Sequence, residues 1–198
     1  MAKKEFTGVN VTTPVCQLAF PAIFEKRPKF GTTDASTGEY SVTMLFDKTQ
    51  DLSVIKNAMI QAARNEFGSD VNLAGLDLKR IKDGDKPNQE GVIRAEFKGK
   101  WVVRAKTSLG QPGVVGPSLQ KIIDPAEIYS GVYAHVNMTA KAYTMPSKGV
   151  TFYLNHVQKV KDGTPFIKGA QAADVFEELN LDPSAAPVSD ANLDNMFS

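Results

Sequence analysis

Tyr133, His135, Lys141 and Tyr143 share one parity of the segment 131–144. On an extended strand, residues two apart point the same way and stand roughly 7 Å from each other. Such a row can stack nucleic-acid bases on its rings while Lys141 meets a phosphate, each stacked base contributing about 1 to 3 kcal/mol. A solvated sheet face on which Tyr is favoured by strand propensity has the same pattern. A second set is Phe24-Glu25-Lys26-Arg27-Pro28-Lys29-Phe30, three cations between two aromatics, with prolines at 21 and 28. It suits a flexible clamp closing over a polyanionic strand. It suits equally a loop whose Phe24 and Phe30 anchor to the core while the cations face water. The third set, Lys98, Lys100, Arg104 and Lys106, extends such a groove or forms an ordinary charged strand. Trp101 is a further stacking candidate, although its parity places it with the core.

Residues for bond-breaking chemistry are scarce. His135 and His156 fall on separate expected strands with no Ser, Cys or carboxylate at a telling spacing. One cysteine, Cys16, and two histidines cannot assemble a zinc set or an intrachain disulfide, which reads as a reducing cytoplasm. Asp83-Gly84-Asp85 resembles the start of a metal site, and a nuclease would use it with Mg²⁺, but the same triplet is common turn chemistry. Gly110, Gly113 and Gly116 do not match the dinucleotide fingerprint, and no phosphate-binding Gly-Lys-Ser/Thr loop occurs. The expectation is a binding protein without catalytic residues, cofactor or metal.

Charge is sorted along the chain. All 23 Lys and Arg precede residue 169, against sixteen of the 22 acids, so the body carries a net charge of +7. The last thirty residues hold no cation and six acids, Asp174, Glu177, Glu178, Asp182, Asp190 and Asp194. A basic body seeks a polyanion, and an anionic end joined to it can compete for the same surface or recruit a basic partner; a plain solubilising tail has the same composition. No uncharged apolar stretch approaches ~18 residues and no apolar run follows the basic start, so the chain reads as neither exported nor membrane-spanning.

The elements that must carry these residues are mainly strands. Residues 6–20 and 39–46 read as two strands around a long loop, Pro21 to Gly38. Leu52, Ile55, Met59, Ala62 and Ala63 recur at helical spacing from an N-cap at Asp51 to a C-cap at Gly68. After Gly91, Ile93, Ala95, Phe97, Trp101, Val103 and Ala105 alternate with Arg94, Glu96, Lys98, Lys100, Arg104 and Lys106, one or two strands broken at Gly99. Val132, Ala134, Val136, Met138, Ala140 and Ala142 form the apolar face of a strand over 131–144, and 150–160 gives another. A short acidic helix is expected over 170–179, with a disordered composition beyond it. Five or six strands and one marked helix suggest a small antiparallel barrel, and a body of about 170 residues buries ~70% of its unfolded surface, enough to stand alone.

Four stretches carry a family resemblance: Tyr40-Ser41-Val42-Thr43-Met44-Leu45-Phe46-Asp47-Lys48; Gly99-Lys100-Trp101-Val102-Val103-Arg104-Ala105-Lys106; Ile128-Tyr129-Ser130-Gly131-Val132-Tyr133-Ala134; and the most specific, Lys148-Gly149-Val150-Thr151-Phe152-Tyr153-Leu154-Asn155-His156-Val157-Gln158-Lys159-Val160-Lys161-Asp162-Gly163. They resemble a bacteriophage family of single-stranded DNA-binding proteins with an OB fold, akin to the helix-destabilising proteins of short-tailed phages. The resemblance spans about residues 5–168. It implies a five-stranded antiparallel OB barrel with one main α-helix over residues 1–180, followed by a disordered acidic tail over 181–198. It implies sequence-nonspecific binding of single-stranded DNA in phage replication, recombination and repair in the host cytoplasm, often by a homodimer. The tail, with Asp190, Asp194 and Phe197, would modulate DNA binding or dock replication proteins such as polymerase or helicase. Its acids are sparser than that class usually shows, and Ser198 follows Phe197. The competing expectation is a β-rich structural or assembly protein without nucleic-acid affinity.

Overall fold

The structure, a computed structural model, describes residues 7–28, 31–88 and 91–166. Five long strands form its frame: β2 (Cys16–Arg27), β3 (Glu39–Asp47), β5 (Lys100–Thr107), β7 (Tyr133–Tyr143) and β8 (Gly149–Lys161). β2 runs antiparallel to β3, β3 to β5, and β5 meets β8 in parallel through Lys106 and Tyr153. β8 is antiparallel to β7, and β7 returns to β2 through Ala134 opposite Cys16 and Tyr133 opposite Gln17. The circuit therefore closes, and with these five strands counted in chain order it runs 1-2-3-5-4-1. This is the expected five-stranded barrel. Three short strands lie outside the ring: β1 (Val9–Thr12) on β7, β4 (Ile81–Asp83) on β5 and β6 (Gly113–Val115) on β8.

Alternation decides what fills the ring. Leu18, Val42, Met44, Phe46, Val103, Ala105, Val136, Met138, Phe152 and Leu154 point inward and are buried, and the polar residues between them are left on the outer surface. The helix α1 (Ser53–Phe67) lays Ile55, Ala58, Met59, Ala62 and Ala63 against the sheet, packing on β7 and β1. Asp51 works one residue outside the cap position assigned to it: the cap is Leu52, while the Asp51 carboxylate accepts from the Ser53 backbone N–H and hydroxyl, both at 2.8 Å.

Two expected segments differ. The supposed loop from Pro21 is strand as far as Arg27. The chain accommodates Pro21 with a bulge: the β2–β3 register shifts between Ala19 and Ala22, Phe20 adopts φ 49°, and the Phe20 N–H donates to Ser130 Oγ at 2.9 Å. At a bulge the missing proline N–H breaks no ladder. The alternating residues 93–97 form no strand. Ala95–Phe97 is a 3-10 turn, in which the Phe97 N–H donates back to the Arg94 carbonyl at 3.0 Å and the Lys98 N–H to the Ala95 carbonyl at 3.3 Å. Gly84 permits this turn to close in, since a Cβ there would lie 2.0 Å from the Phe97 carbonyl oxygen. The body is the compact unit Met1–Ile167; the expected helix over 170–179 and the expected acidic tail lie outside the described residues.

Candidate nucleic-acid interface

The cations of β5 and the end of β2 come together on the outer face of β2–β3–β5. Cross-strand register puts Arg27 opposite Glu39, Ser41 opposite Lys106, and Thr43 opposite Arg104. Directly opposed residues share a face, with Cβ atoms roughly 4.5 to 5.5 Å apart. The Glu39 carboxylate binds Lys106 Nζ at 2.8 Å, and Arg104 Nη2 donates to Ser41 Oγ at 3.5 Å. On the alternate parity of β3, Lys26 Nζ lies 5.8 Å from the ring centroid of Tyr40, the register partner of Thr107. An open groove of about 500 Å³ follows this part of β2, lined by Phe24, Lys26, Arg27, Pro28, Pro125 and Ile128. Phe24 also packs against the core, so it serves as both anchor and groove wall. Lys29 and Phe30 lie outside the described residues. Further along β5, Lys100 Nζ is bound to Asp47 Oδ1 at 2.5 Å.

The outward row on β7 is divided. Tyr133 and Tyr143 are ten residues apart, about 33 Å along a strand, and the middle between them is an uncharged network. Thr139 is buried and donates to Asn10 Oδ1 at 2.6 Å, while Asn155 Nδ2 donates to Asn137 Oδ1 and Thr139 Oγ1, both at 2.9 Å. At one end, the Tyr143 hydroxyl donates to Asp77 Oδ2 at 2.7 Å and accepts from Arg80, whose guanidinium lies 5.5 Å from the ring centroid. Burial and the Asp77 hydrogen bond push the phenol upward, and the bond from Tyr143 holds the Asp77 carboxyl below its ordinary range. At the other end, the half-buried Tyr133 has Lys161 Nζ 4.8 Å from its ring centroid. His135 Nδ1 donates to the Thr13 carbonyl at 2.8 Å.

Lys141 reaches the basic face by a route the sequence pattern did not show. Its Nζ lies 5.9 Å from the ring of Tyr153, and Tyr153 on β8 is the register neighbour of Lys106 on β5. Tyr153 and Tyr40 were absent from the expected site. For Tyr153, the parity that buries Phe152 and Leu154 was the available signal.

The remaining candidates have structural partners. Trp101 points inward, half-buried against the core, with Lys48 Nζ 5.3 Å from its ring. The same Lys48 binds Asp83 Oδ1 at 2.7 Å and also Asp85, whose other oxygen accepts from the Gly99 N–H at 2.7 Å. The lysine therefore occupies the place between the two carboxylates, and these bonds hold both acids below their ordinary range. Among the described residues no group of three His, Cys, Asp or Glu side chains is arranged to hold a metal ion. His156 Nδ1 accepts from the Gly113 N–H at 3.3 Å. No described helix is long and apolar enough to cross a membrane. Asp190, Asp194 and Phe197 lie outside the described residues.

The profile of the family described as "Enterobacter phage Enc34, ssDNA-binding protein" matches residues 9–186. Among solved structures, the fold is similar to the single-stranded DNA-binding protein from bacteriophage Enc34 in complex with ssDNA, with a TM-score of 0.62 and 23% identity over 83% of this chain and 96% of that one. It is similar also to gp2.5, a single-stranded DNA-binding protein encoded by bacteriophage T7, with a TM-score of 0.55 and 17% identity over 90% of this chain and 100% of that one. No curated protein matches the chain.

Proposed function

Because the chain belongs to the family of the Enterobacter phage Enc34 ssDNA-binding protein, we propose that it binds single-stranded DNA without sequence preference during phage DNA replication, and in recombination and repair. The observation that carries this reading is the convergence of Arg27, Arg104 and Lys106 on the outer β2–β3–β5 face. In chain order β3 and β5 are strands 2 and 3 of the ring, and OB barrels bind oligonucleotides on the face of those two strands and on the flanking loops. Arg27, Arg104 and Lys106 meet phosphates, with Lys141 beyond them and Tyr153 offering a ring at the margin of the basic strip; Tyr40, with Lys26 over it, has the inward parity of Val42 and Met44 and stands off that face. Tyr143 serves as a suture for the β7–β8 end, and Trp101 belongs to the core. Lys100 and Tyr133 stand at the periphery of the binding strip.

Neutralising about four phosphates gives a log–log salt slope near 2.8, or roughly a fiftyfold loss of affinity between 50 and 200 mM salt. Fluorescence anisotropy with labelled oligothymidylate measures this directly. A flat salt dependence removes the electrostatic part, and no binding at low salt returns the chain to the assembly reading.

The acidic end is the second part of the proposal. Residues 181–198 act as an intramolecular competitor for the basic strip and as a docking segment for replication proteins such as polymerase or helicase. A flexible segment of that length has a root-mean-square span of about 20 to 25 Å, and tethering keeps its effective concentration high. Residues 1–180 form the binding domain in this scheme, working as a monomer or a homodimer.

A further inference from the structure

Phe20 carries a left-handed backbone, φ 49°, that a bulky side chain rarely adopts. Such outliers persist where the surroundings enforce them, and they gather at binding sites. Here the surroundings are explicit: the bulge between Ala19 and Ala22, the bond from the Phe20 N–H to Ser130 Oγ at 2.9 Å, and Pro21 next in the chain. The bulge places Phe20 between two cross-strand rows, Ala19–Thr43–Arg104 and Ala22–Ser41–Lys106. Its ring is half-buried. Phe97 abuts it edge-on, with centroids 6.1 Å apart and planes at 69°, and the Arg94 guanidinium carbon lies 5.1 Å from its centroid. Arg94 itself is exposed. The exposed guanidinium of Arg94 therefore already rests against this ring, beside the cations of the proposed phosphate track.

We propose that Phe20, braced by Phe97, is a base-stacking platform of the single-strand site, and that Arg94 guards it. A base takes the place of the guanidinium against the ring, and Arg94 turns to the adjoining phosphate. Every base has a π-face, so the platform is tolerant of sequence. A guanidinium exchanges a cation–π contact for a charge-assisted one without leaving the site. This inference rests on the chain's binding single strands, and the experiment separates the two.

The test uses the full chain and labelled oligothymidylate. Phe20→Ala weakens binding by about 5- to 150-fold if the ring carries a stacked base, and Phe20→Leu, which keeps most of the apolar volume, weakens it in the same direction. Arg94→Ala lowers the salt slope by about 0.7, one phosphate, while Arg94→Lys keeps it. Trp101 is the only tryptophan, so Phe20→Trp in a Trp101→Phe background reports on position 20 alone, and its emission is quenched on saturation with the oligonucleotide. Failure of the unmodified protein to bind would overturn the parent proposal. Normal binding by the unmodified protein, with Phe20→Leu binding as tightly and unquenched emission at position 20, overturns the platform.

Discussion

Glu39 is a carboxylate of the basic strip bound directly to one of its cations, and its removal should tighten DNA binding. It accepts from Lys106 Nζ through both oxygens, at 2.8 and 3.0 Å, and is the cross-strand partner of Arg27. A phosphate arriving at Lys106 must displace that carboxylate. The pair is partly exposed, with side-chain exposures of 49% for Lys106 and 28% for Glu39, so its net contribution to stability is below about 1 kcal/mol. Glu39→Gln therefore leaves the fold in place, with Tm changing by no more than about 4 °C, and frees one cation for DNA. Lys106 is already among the phosphate contacts, so the log–log slope stays near 2.8, while binding tightens about two- to fivefold, the equivalent of the ~0.5 to 1 kcal/mol no longer needed to displace the carboxylate. Anisotropy titrations of the two proteins between 50 and 400 mM salt read both quantities. Identical dissociation constants would refute the placement of Lys106 on the phosphate track. Weaker binding would show instead that Glu39 positions Arg27 and Lys106 for the DNA.

Truncation after Asn180 should tighten single-strand binding most at low salt, where screening is weakest; equal affinities with and without the segment would end the competition idea. Tyr143→Phe removes a hydroxyl bound to Asp77 and Arg80, a loss of about 1.5 to 3 kcal/mol for hydrogen bonds to charged groups. Urea denaturation should show that loss while oligothymidylate affinity stays within about twofold. A fivefold fall in affinity at unchanged stability would move Tyr143 into the site. Burial pushes the Cys16 thiol from 9.0 up to about 12, so the unfolded thiol ionises first and the folded state loses ground as pH rises. Stability is unaffected by this group below pH 9 and falls by about 1.4 kcal/mol per pH unit between there and the folded value. Cys16→Ala should abolish that part of the alkaline slope, and equal slopes in the two proteins would contradict it.

Strand parity was legible from the sequence wherever the strand was long and half-buried. Val132, Ala134, Val136, Met138, Ala140 and Ala142 are all buried, as their alternation requires. The helix was legible for the same reason, its apolar residues recurring at a different period. What misled was alternation without a partner. Ile93, Ala95 and Phe97 alternate as a strand does, but no described strand pairs with them, and their backbone bonds locally in a 3-10 turn, Phe97 N–H to the Arg94 carbonyl. Pro21 misled in the opposite sense: a proline reads as the end of a strand, and only the tertiary bond from Phe20 to Ser130, 110 residues away, turns the interruption into a bulge.

The site was harder to read than the fold because a nucleic-acid surface crosses strands, whereas pattern analysis runs along them. Tyr133, His135, Lys141 and Tyr143 do share a parity, yet the ends of that row belong to different neighbourhoods about 33 Å apart. Lys106, Tyr153 and Lys141 come from three strands and meet only because β8 lies between β5 and β7 in the ring. The same holds for Phe20 and Arg94, which sit 74 positions apart in sequence with centroid and cation 5.1 Å apart in space. The pairing order of the barrel is thus the missing step between a list of cations and rings and a surface. Once that order is known, Arg27, Arg104 and Lys106 define a strip across three strands, and in the proposed reading the stacking aromatics are the ones bordering that strip. Binding measurements on Phe20 and Tyr143 variants therefore set two rules against each other: if register decides, Phe20 variants lose affinity and Tyr143→Phe does not, whereas the reverse outcome would mean that the parity of β7 alone specifies the interface.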